Sequence, residues 1–157
     1  MADSAYLTAL KLLARRELSV EGLRARLRDR EFASDEIAAA IDRLQETGAL
    51  DDGRVARAYA RTAAHVKGRG RLRVARELQE IGIDRRVAAE ALAEVFGDLD
   101  ERALIARAIQ KKLRGRKTLK DAAERARLYQ HLMRQGFSPA AVSDALRRLG
   151  ETLKAER

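Results

Sequence analysis

Three segments of the chain repeat one pattern of apolar residues. The segments are LRDREFASDEIAAAI from Leu27, LQEIGIDRRVAAEAL from Leu78 and LMRQGFSPAAVSDAL from Leu132. Each has a leucine, an apolar residue five positions later and then a new apolar helix face, and successive segments start 51 and 54 residues apart. Because a period of this length is too long for a pair of helices, it predicts a tandem array of larger helical units.

The residues between these segments complete each unit with one more amphipathic helix. The matched apolar positions of the three segments are Leu27, Phe32, Ile37 and Ile41, then Leu78, Ile83, Val87 and Ala91, then Leu132, Phe137, Val142 and Leu146. The added helices carry Tyr6, Leu10 and Leu13, then Val55, Tyr59, Ala63 and Val66, then Ile105, Ile109 and Leu113. The sequence therefore predicts an all-α fold of three tandem three-helix repeats, about nine helices, over residues 1–48, 49–97 and 98–157. Units this small cover one another, which predicts an elongated, curved array.

Turn and cap residues mark the expected helix ends. Eight of the ten glycines fall at these ends, namely Gly48, Gly68, Gly70, Gly82, Gly97, Gly115, Gly136 and Gly150. Ser34, Asp84 and Ser138 are expected to cap new helices, and Pro139 suits a first helical position. In the first repeat, Glu31 takes the turn position of Gly82 and Gly136, so that turn is expected to be strained by about 1 kcal/mol or to have another shape.

Composition excludes several classes of protein. Ala, Leu, Arg and Glu favour helices, and the chain has a single proline. The absence of cysteine excludes disulfides and thiolate metal sites, and no early apolar run suits a signal peptide, so we expect a cytoplasmic protein. No long exposed heptad stripe demands a dimer, so we expect a monomer. The formal net charge of +9 favours an anionic partner, with nucleic acid preferred to a membrane, although biased Ala and Arg usage is an alternative explanation of the charge.

Two basic runs are the candidate binding surfaces. Arg54, Arg57 and Arg61 are spaced to form one stripe on a helix, and no acidic residue lies between Val66 and Arg76. A second acid-free run from Arg107 to Lys120 has seven basic residues, which also suit the solvated end of a helix. The candidate partner- or DNA-binding residues are Arg54, Arg57, Arg61, Lys67, Arg69, Arg71, Arg73, Arg76, Lys111, Lys112, Arg114, Arg116 and Lys117.

Other polar residues are predicted to have structural roles. Asp51 and Asp52 are interpreted as N-terminal caps of the Arg54 helix that together stabilise it by about 1 kcal/mol, with direct partner contact as the alternative. Gly68 and Gly70 leave open an approach of an anion to backbone N–H groups. The two histidines, His65 and His131, are interpreted as half-buried helix residues, since no metal-ligand spacing surrounds them. With no catalytic motif either, we expect no enzyme activity, no metal and no cofactor.

The chain resembles the bacterial RecX family, regulators of the RecA recombinase. The resemblance covers nearly the whole chain and lies in ALKLLARRELSVEGLRARL, GALDDGRVARAYA, KGRGRLRVARELQEIGI and RQGFSPAAVSDAL. Its most specific part is Leu50, Asp51 and Asp52 with Arg54 just beyond. The chain departs from the family pattern at three positions, with Val55 in place of an aromatic residue, Arg69 in place of tyrosine and Glu31 in place of glycine.

The resemblance implies an activity as well as a three-repeat helical fold. RecX-like proteins bind RecA and its filaments on DNA, lie in the filament groove, and restrain filament growth, strand exchange, ATP hydrolysis and repressor cleavage. The resemblance therefore implies a role in DNA repair, DNA recombination and the SOS response. Direct contact with single- or double-stranded DNA stays open. The residues also leave two alternatives: a sequence-nonspecific protein that binds DNA by itself, and a structural adaptor whose arginines serve solubility.

Overall fold

The described part of the chain is entirely helical. The computed structural model describes residues 3–155, with side chains through residue 150, and contains no strand there. Its nine helices are α1 (Ala5–Arg15), α2 (Val20–Asp29), α3 (Ser34–Glu46), α4 (Asp52–His65), α5 (Arg71–Glu80), α6 (Arg85–Phe96), α7 (Glu101–Lys112), α8 (Ala122–Gln135) and α9 (Pro139–Ala155). Among the residues that are described, the predicted three-repeat, nine-helix fold is confirmed.

The helices form two compact units. One unit contains Met1–Tyr59 and Glu77–Ala91, and the other contains Ala60–Arg76 and Leu92–Arg157. The first has a core in which α1, α2 and α3 pack together, and the second has a core of α7, α8 and α9. The repeat bounds at residues 48 and 97 stay a prediction, and the outermost residues 1, 2, 156 and 157 of the predicted repeats lie outside the described part.

The matched apolar positions form the core of each repeat. Ten of the twelve are buried, and the other two, Phe32 and Val87, are half-buried. Burial of leucine, isoleucine and valine side chains stabilises by roughly 1.5–3 kcal/mol each. The helix α4 differs from its prediction, because its buried residues are Ala56, Ala60, Ala63 and Ala64 whereas Val55 and Tyr59 are only half-buried. The prediction was wrong for Val66, which follows α4 and is 76% exposed.

The same turn joins the second and third helices of every repeat. In each turn the N–H of the matched aromatic or isoleucine residue donates to the leucine carbonyl five positions earlier, at 3.3 Å for Phe32, 3.0 Å for Ile83 and 3.4 Å for Phe137. The residue before it is left-handed, with φ of 85° at Gly82, 98° at Gly136 and 65° at Glu31. The first repeat therefore has the common turn with a side chain in the strained conformation, which confirms the first of the two predicted alternatives.

The turn of the second repeat rests on the start of α2. The Ser19 hydroxyl accepts from the Gly22 N–H at 2.9 Å, as an N-cap, and donates to the Ile81 carbonyl at 2.7 Å. A Cβ on Gly82 would lie 2.6 Å from the Cβ of Glu21. The absence of a side chain at Gly82 thus allows close approach as well as the left-handed backbone.

The turn of the third repeat rests on the start of α5 in an equivalent way. The Gly70 N–H donates to the Gln135 carbonyl at 2.7 Å, and the Leu72 N–H donates to the Gly136 carbonyl at 3.0 Å. A Cβ on Gly136 would lie 2.4 Å from the backbone nitrogen of Arg73. The turn carbonyls therefore cap the first N–H groups of α5, which have no partner inside the helix.

Several predicted caps need correction. Ser34 is the first residue of α3 rather than its cap, because Ala33 holds the cap position without a side-chain bond. Ser138 does hold the position before α9, but its hydroxyl donates to Glu101 at 3.1 Å rather than accepting from the helix. The Ser138 N–H donates to the other oxygen of that carboxylate at 2.7 Å. Asp84 does cap α6, since it accepts from the Arg86 N–H at 2.9 Å, and Pro139 is the first residue of α9. Gly150 lies inside α9 and not at its end.

Candidate partner-binding surfaces

The two adjacent aspartates cap two different helices. The Asp51 carboxylate accepts from the Arg54 N–H at 3.1 Å and so caps α4, as predicted. Asp52 instead accepts from the Val20 N–H at 2.8 Å, at the start of α2. Burial raises the pKa of Asp52, the bond from Val20 opposes that rise, and repulsion by Asp51 and Glu21 adds to it. The cap prediction is therefore confirmed for Asp51 and wrong about the helix that Asp52 caps.

Arg54 is bound within its own unit. Its Nε forms an ion pair with Glu17, its Nη1 donates to the Gly48 carbonyl at 2.9 Å, and its Nη2 donates to the Ala49 carbonyl at 3.3 Å. The bond to Glu17 raises the pKa of the guanidinium. These bonds tie the connection before α4 to the connection before α2. Arg54 thus contributes to structure, whatever else it does.

The other α4 arginines follow the expected spacing on one helix. Arg57 is half-buried, and a Cβ on Gly53 would lie 3.1 Å from its Nη1. Arg61 is exposed and forms a surface ion pair with Glu94 at 3.3 Å. Pairs this exposed contribute little to stability, on the order of 0.2–1 kcal/mol, so a stronger anionic partner can displace Glu94 at small cost.

The basic residues around α5 differ in exposure. Lys67, Arg71 and Arg76 are exposed, whereas Arg69 and Arg73 are half-buried. Arg73 Nη1 lies 3.5 Å from the Arg134 carbonyl, beside the third-repeat turn. Because that turn already accepts from the Gly70 N–H, the predicted access of an anion to that backbone group is wrong.

The second basic run separates into two parts. Lys111 and Lys112 end α7, and Arg114 follows with a left-handed φ of 52°. Arg116 is paired with Glu124, whose pKa the guanidinium lowers to about 2 with help from the Lys120 N–H. Lys117 lines a different cavity, between α7 and α9. Only the first part of the run, Lys111, Lys112 and Arg114, therefore lies beside Lys67.

One cavity brings residues of both basic runs together. It has a volume of about 380 Å³ and lies among the ends of α4, α7 and α8. We call it the cationic pocket, and its charged or titratable lining residues are His65, Lys67, Arg107, Lys111, Lys112, Arg114 and His131. No acidic residue of the described chain lines it. Lys67 lies 40 or more positions before the basic residues that α7 contributes, and only the fold juxtaposes them.

Three members of the cationic pocket were not predicted as site residues. Arg107 belongs to the second basic run, so its position on the face shared by Lys111 was the available signal. His131 is half-buried, as expected, whereas the same expectation is wrong for the exposed His65. Burial lowers the pKa of His131, and the charges of Lys112 and Arg134 lower it further. Within the described residues, no cluster of side chains is suited to hold a metal ion.

Fold and surface together define an all-helical protein of three three-helix repeats, in which basic residues from two runs line one cavity. Models of the three RecX three-helix domains match residues 5–44, 51–92 and 100–146 in order. The chain belongs to the RecX family, whose relatives are named regulatory proteins. In the described part, no helix is long and apolar enough to cross a membrane.

Individual relatives agree with this assignment. The regulatory protein RecX of Pelodictyon phaeoclathratiforme is 32% identical over 148 residues, which cover 94% of this chain and 90% of the relative. The protein of the same name from Geobacillus kaustophilus is 34% identical over 90% of this chain, and the chain spans 52% of that relative's length. The crystal structure of RecX from Lactobacillus salivarius shares the fold, with a TM-score of 0.78 and 21% identity over 93% of this chain and 94% of that one.

Proposed function

We propose that this chain is a non-enzymatic modulator that binds RecA and its filament on DNA and restrains filament growth, strand exchange and ATP hydrolysis. Membership of a family of regulatory proteins supports a regulatory role. The observation that carries the proposal is the gathering of two acid-free basic runs on one unit, which suits a polyanionic assembly. A modulator that acts by occupying a surface needs no catalytic group.

The proposed contact residues are six exposed members of the basic runs. These are Lys67, Arg71, Arg76, Lys111, Lys112 and Arg114. The proposed surface is extended by Arg57, Arg69, Arg73 and Lys117. Three further arginines, Arg54, Arg61 and Arg116, each form an ion pair with a glutamate of this chain. They contact the partner only if an anionic group of the partner replaces that glutamate. A protein that bridges adjacent filament subunits would favour one filament geometry and oppose the movements that accompany hydrolysis.

The test is DNA-dependent ATP hydrolysis by RecA with substoichiometric amounts of this chain, with binding to the same naked DNA measured in parallel. We expect hydrolysis to fall at concentrations too low to coat the DNA. The double variant Arg71→Glu with Arg76→Glu is expected to lose this effect because both side chains are exposed at α5. The matched control is Arg85→Glu with Arg86→Glu, which makes the same change of net charge on exposed residues of α6. Unchanged hydrolysis, or equal loss in both double variants, would contradict the proposal.

The second candidate is a protein that binds DNA without RecA, which the acid-free cationic pocket favours. This candidate requires affinity for naked DNA that falls steeply with salt, with a slope near 0.9 per phosphate contact on duplex DNA. It is distinguished in the same experiment, because suppression of hydrolysis would then appear only when the DNA is saturated.

A further inference from the structure

The cationic pocket is formed by parts of three helices and of the two connections that follow α4 and α7. The end of α4 contributes His65, the following connection contributes Lys67, and α8 contributes His131 and Gln135. From α7 come Leu104 and Ala108, which are apolar, and the basic residues at its end. A concave site with an apolar part and converging polar groups is the usual form of a ligand site.

The five cationic side chains of the pocket are uncompensated within the described chain. Lys67, Arg107, Lys111, Lys112 and Arg114 form no ion pair with any described residue, whereas arginines elsewhere, such as Arg61 and Arg116, do. Like charges gathered in this way repel one another. An anion that enters the pocket removes this repulsion and gains attraction to several cations at once.

Capping of helix ends does not account for these charges. The α4, α7 and α8 helices all end here, and the negative end of each helix dipole attracts cations. However, the final carbonyls already accept backbone N–H groups: Thr62 from Val66 and Lys67, Gln110 from Gly115, and Gln135 from Gly70. Each helix end carries about half a negative charge, so five cations leave a positive excess.

We infer that the cationic pocket binds a phosphate group of a nucleic-acid strand. A phosphodiester is compact and singly charged, and arginine and lysine are its usual partners. The pocket volume of about 380 Å³ exceeds that of one phosphate group, so adjoining atoms of the strand can enter with it. The inference deepens the proposed function and rests on it only in taking the strand to be the DNA of the filament.

His131 makes the binding sensitive to pH. It faces Lys112 and Arg107 from α7, His65 and Lys67 from the α4 end, and its own helix neighbours. On its other side, the lining residues of the adjacent cavity include Glu124, Arg127 and Arg134. Burial and the positive charges of Lys112 and Arg134 lower the pKa of His131, which favours the neutral imidazole. A bound phosphate raises that pKa, so binding takes up a proton and tightens as pH falls.

The inference is tested without RecA, by titrating the full chain with a short oligothymidylate while the imidazole signals of His65 and His131 are followed by NMR. We expect the His131 pKa to rise on binding and the affinity to be greater at about pH 6 than at about pH 8. Lys111→Gln is expected to lower the salt slope by about 1. His131→Gln is expected to remove the pH dependence. Thermal unfolding establishes that each variant is folded.

The matched control is Lys11→Gln, which removes one exposed lysine from α1, outside the cationic pocket and outside the proposed contact surface. Equal effects of the two lysine variants, or an unchanged His131 signal, would overturn the inference. Inorganic phosphate and an oligoglutamate are titrated separately. If inorganic phosphate or the oligoglutamate binds and the oligothymidylate does not, the inference is overturned, in favour of a free phosphate or an acidic protein surface respectively. The outcome is independent of RecA's ATP hydrolysis, so a failure here is distinguishable from failure of the proposed function.

Discussion

Gly136→Ala is expected to destabilise the protein more than Gly48→Ala, although both glycines are left-handed. Gly48 has a φ of 77°, and an added Cβ would meet nothing within 4 Å. The substitution there costs only the left-handed strain, about 1 kcal/mol. Gly136 has a φ of 98°, and its Cβ would lie 2.4 Å from both the backbone nitrogen and the Cβ of Arg73. These Arg73 atoms belong to or adjoin the α5 backbone, so rotation of a side chain cannot relieve the clash.

The additional cost at Gly136 follows from the hydrogen bonds that must yield. Movement of the turn breaks or stretches the bonds from the Gly70 and Leu72 N–H groups, now 2.7 Å and 3.0 Å long. Each such bond contributes about 0.5–1.5 kcal/mol. With the strain included, Gly136→Ala should lower the free energy of unfolding by about 2–4 kcal/mol, against about 1 kcal/mol for Gly48→Ala.

Urea denaturation followed by circular dichroism measures the two free energies of unfolding. Native-state hydrogen exchange adds a local measurement, because the amides of Gly70 and Leu72 are those whose bonds are lost. Their protection should fall in Gly136→Ala and persist in Gly48→Ala. Equal destabilisation by both substitutions, with both amides still protected, would refute the argument that the third-repeat turn caps α5.

Substitutions at Glu31, Asp52 and Ser19 test the capping and strain arguments by denaturation. Glu31→Gly should stabilise by about 1 kcal/mol, since it relieves a left-handed glutamate, and no gain would mean that the turn is unstrained. Asp52→Asn retains an acceptor for the Val20 N–H. Because burial raises the pKa of Asp52 in the folded protein, the stability of this variant relative to the parent should increase as pH rises above the carboxyl pKa of the unfolded chain. Asp52→Ala should instead cost about 1 kcal/mol. Ser19→Ala should cost more than Ser4→Ala, about 2 against about 1 kcal/mol, because Ser19 also donates to Ile81.

The repeat pattern was sufficient to predict the core because each matched position depends on local spacing. Leu78 and Leu132 are fully buried for the same reason, as each is followed five positions later by an apolar residue that closes the same turn. The caps were less predictable. Asp52 and Glu101 accept from the starts of other helices, and sequence spacing identifies only acceptors that lie next to their own helix.

The cationic pocket shows a second limit of the sequence. Each basic run could be found from its lack of acids, but Lys67 and Lys111 become neighbours only through the fold of the unit that contains both. His131 was not assigned to a charged surface, although Arg127 and Arg134, four positions before it and three after it on α8, were the available signal. Charge runs therefore predicted which residues are basic surface, and the fold determined which of them converge.

A side chain is tolerated at Glu31 but not at the matching turn positions of the other two repeats, Gly82 and Gly136. All three turns need the left-handed backbone, which a side chain bears at a cost of about 1 kcal/mol. Only Gly82 and Gly136 also meet the start of a preceding repeat's second helix, at α2 and α5, and there a Cβ collides. Glu31 is exposed and bears only the strain. Glycine in these turns is thus required by contact between repeats more than by the turn itself, and Gly82→Glu should be far more damaging than Glu31→Gly is beneficial.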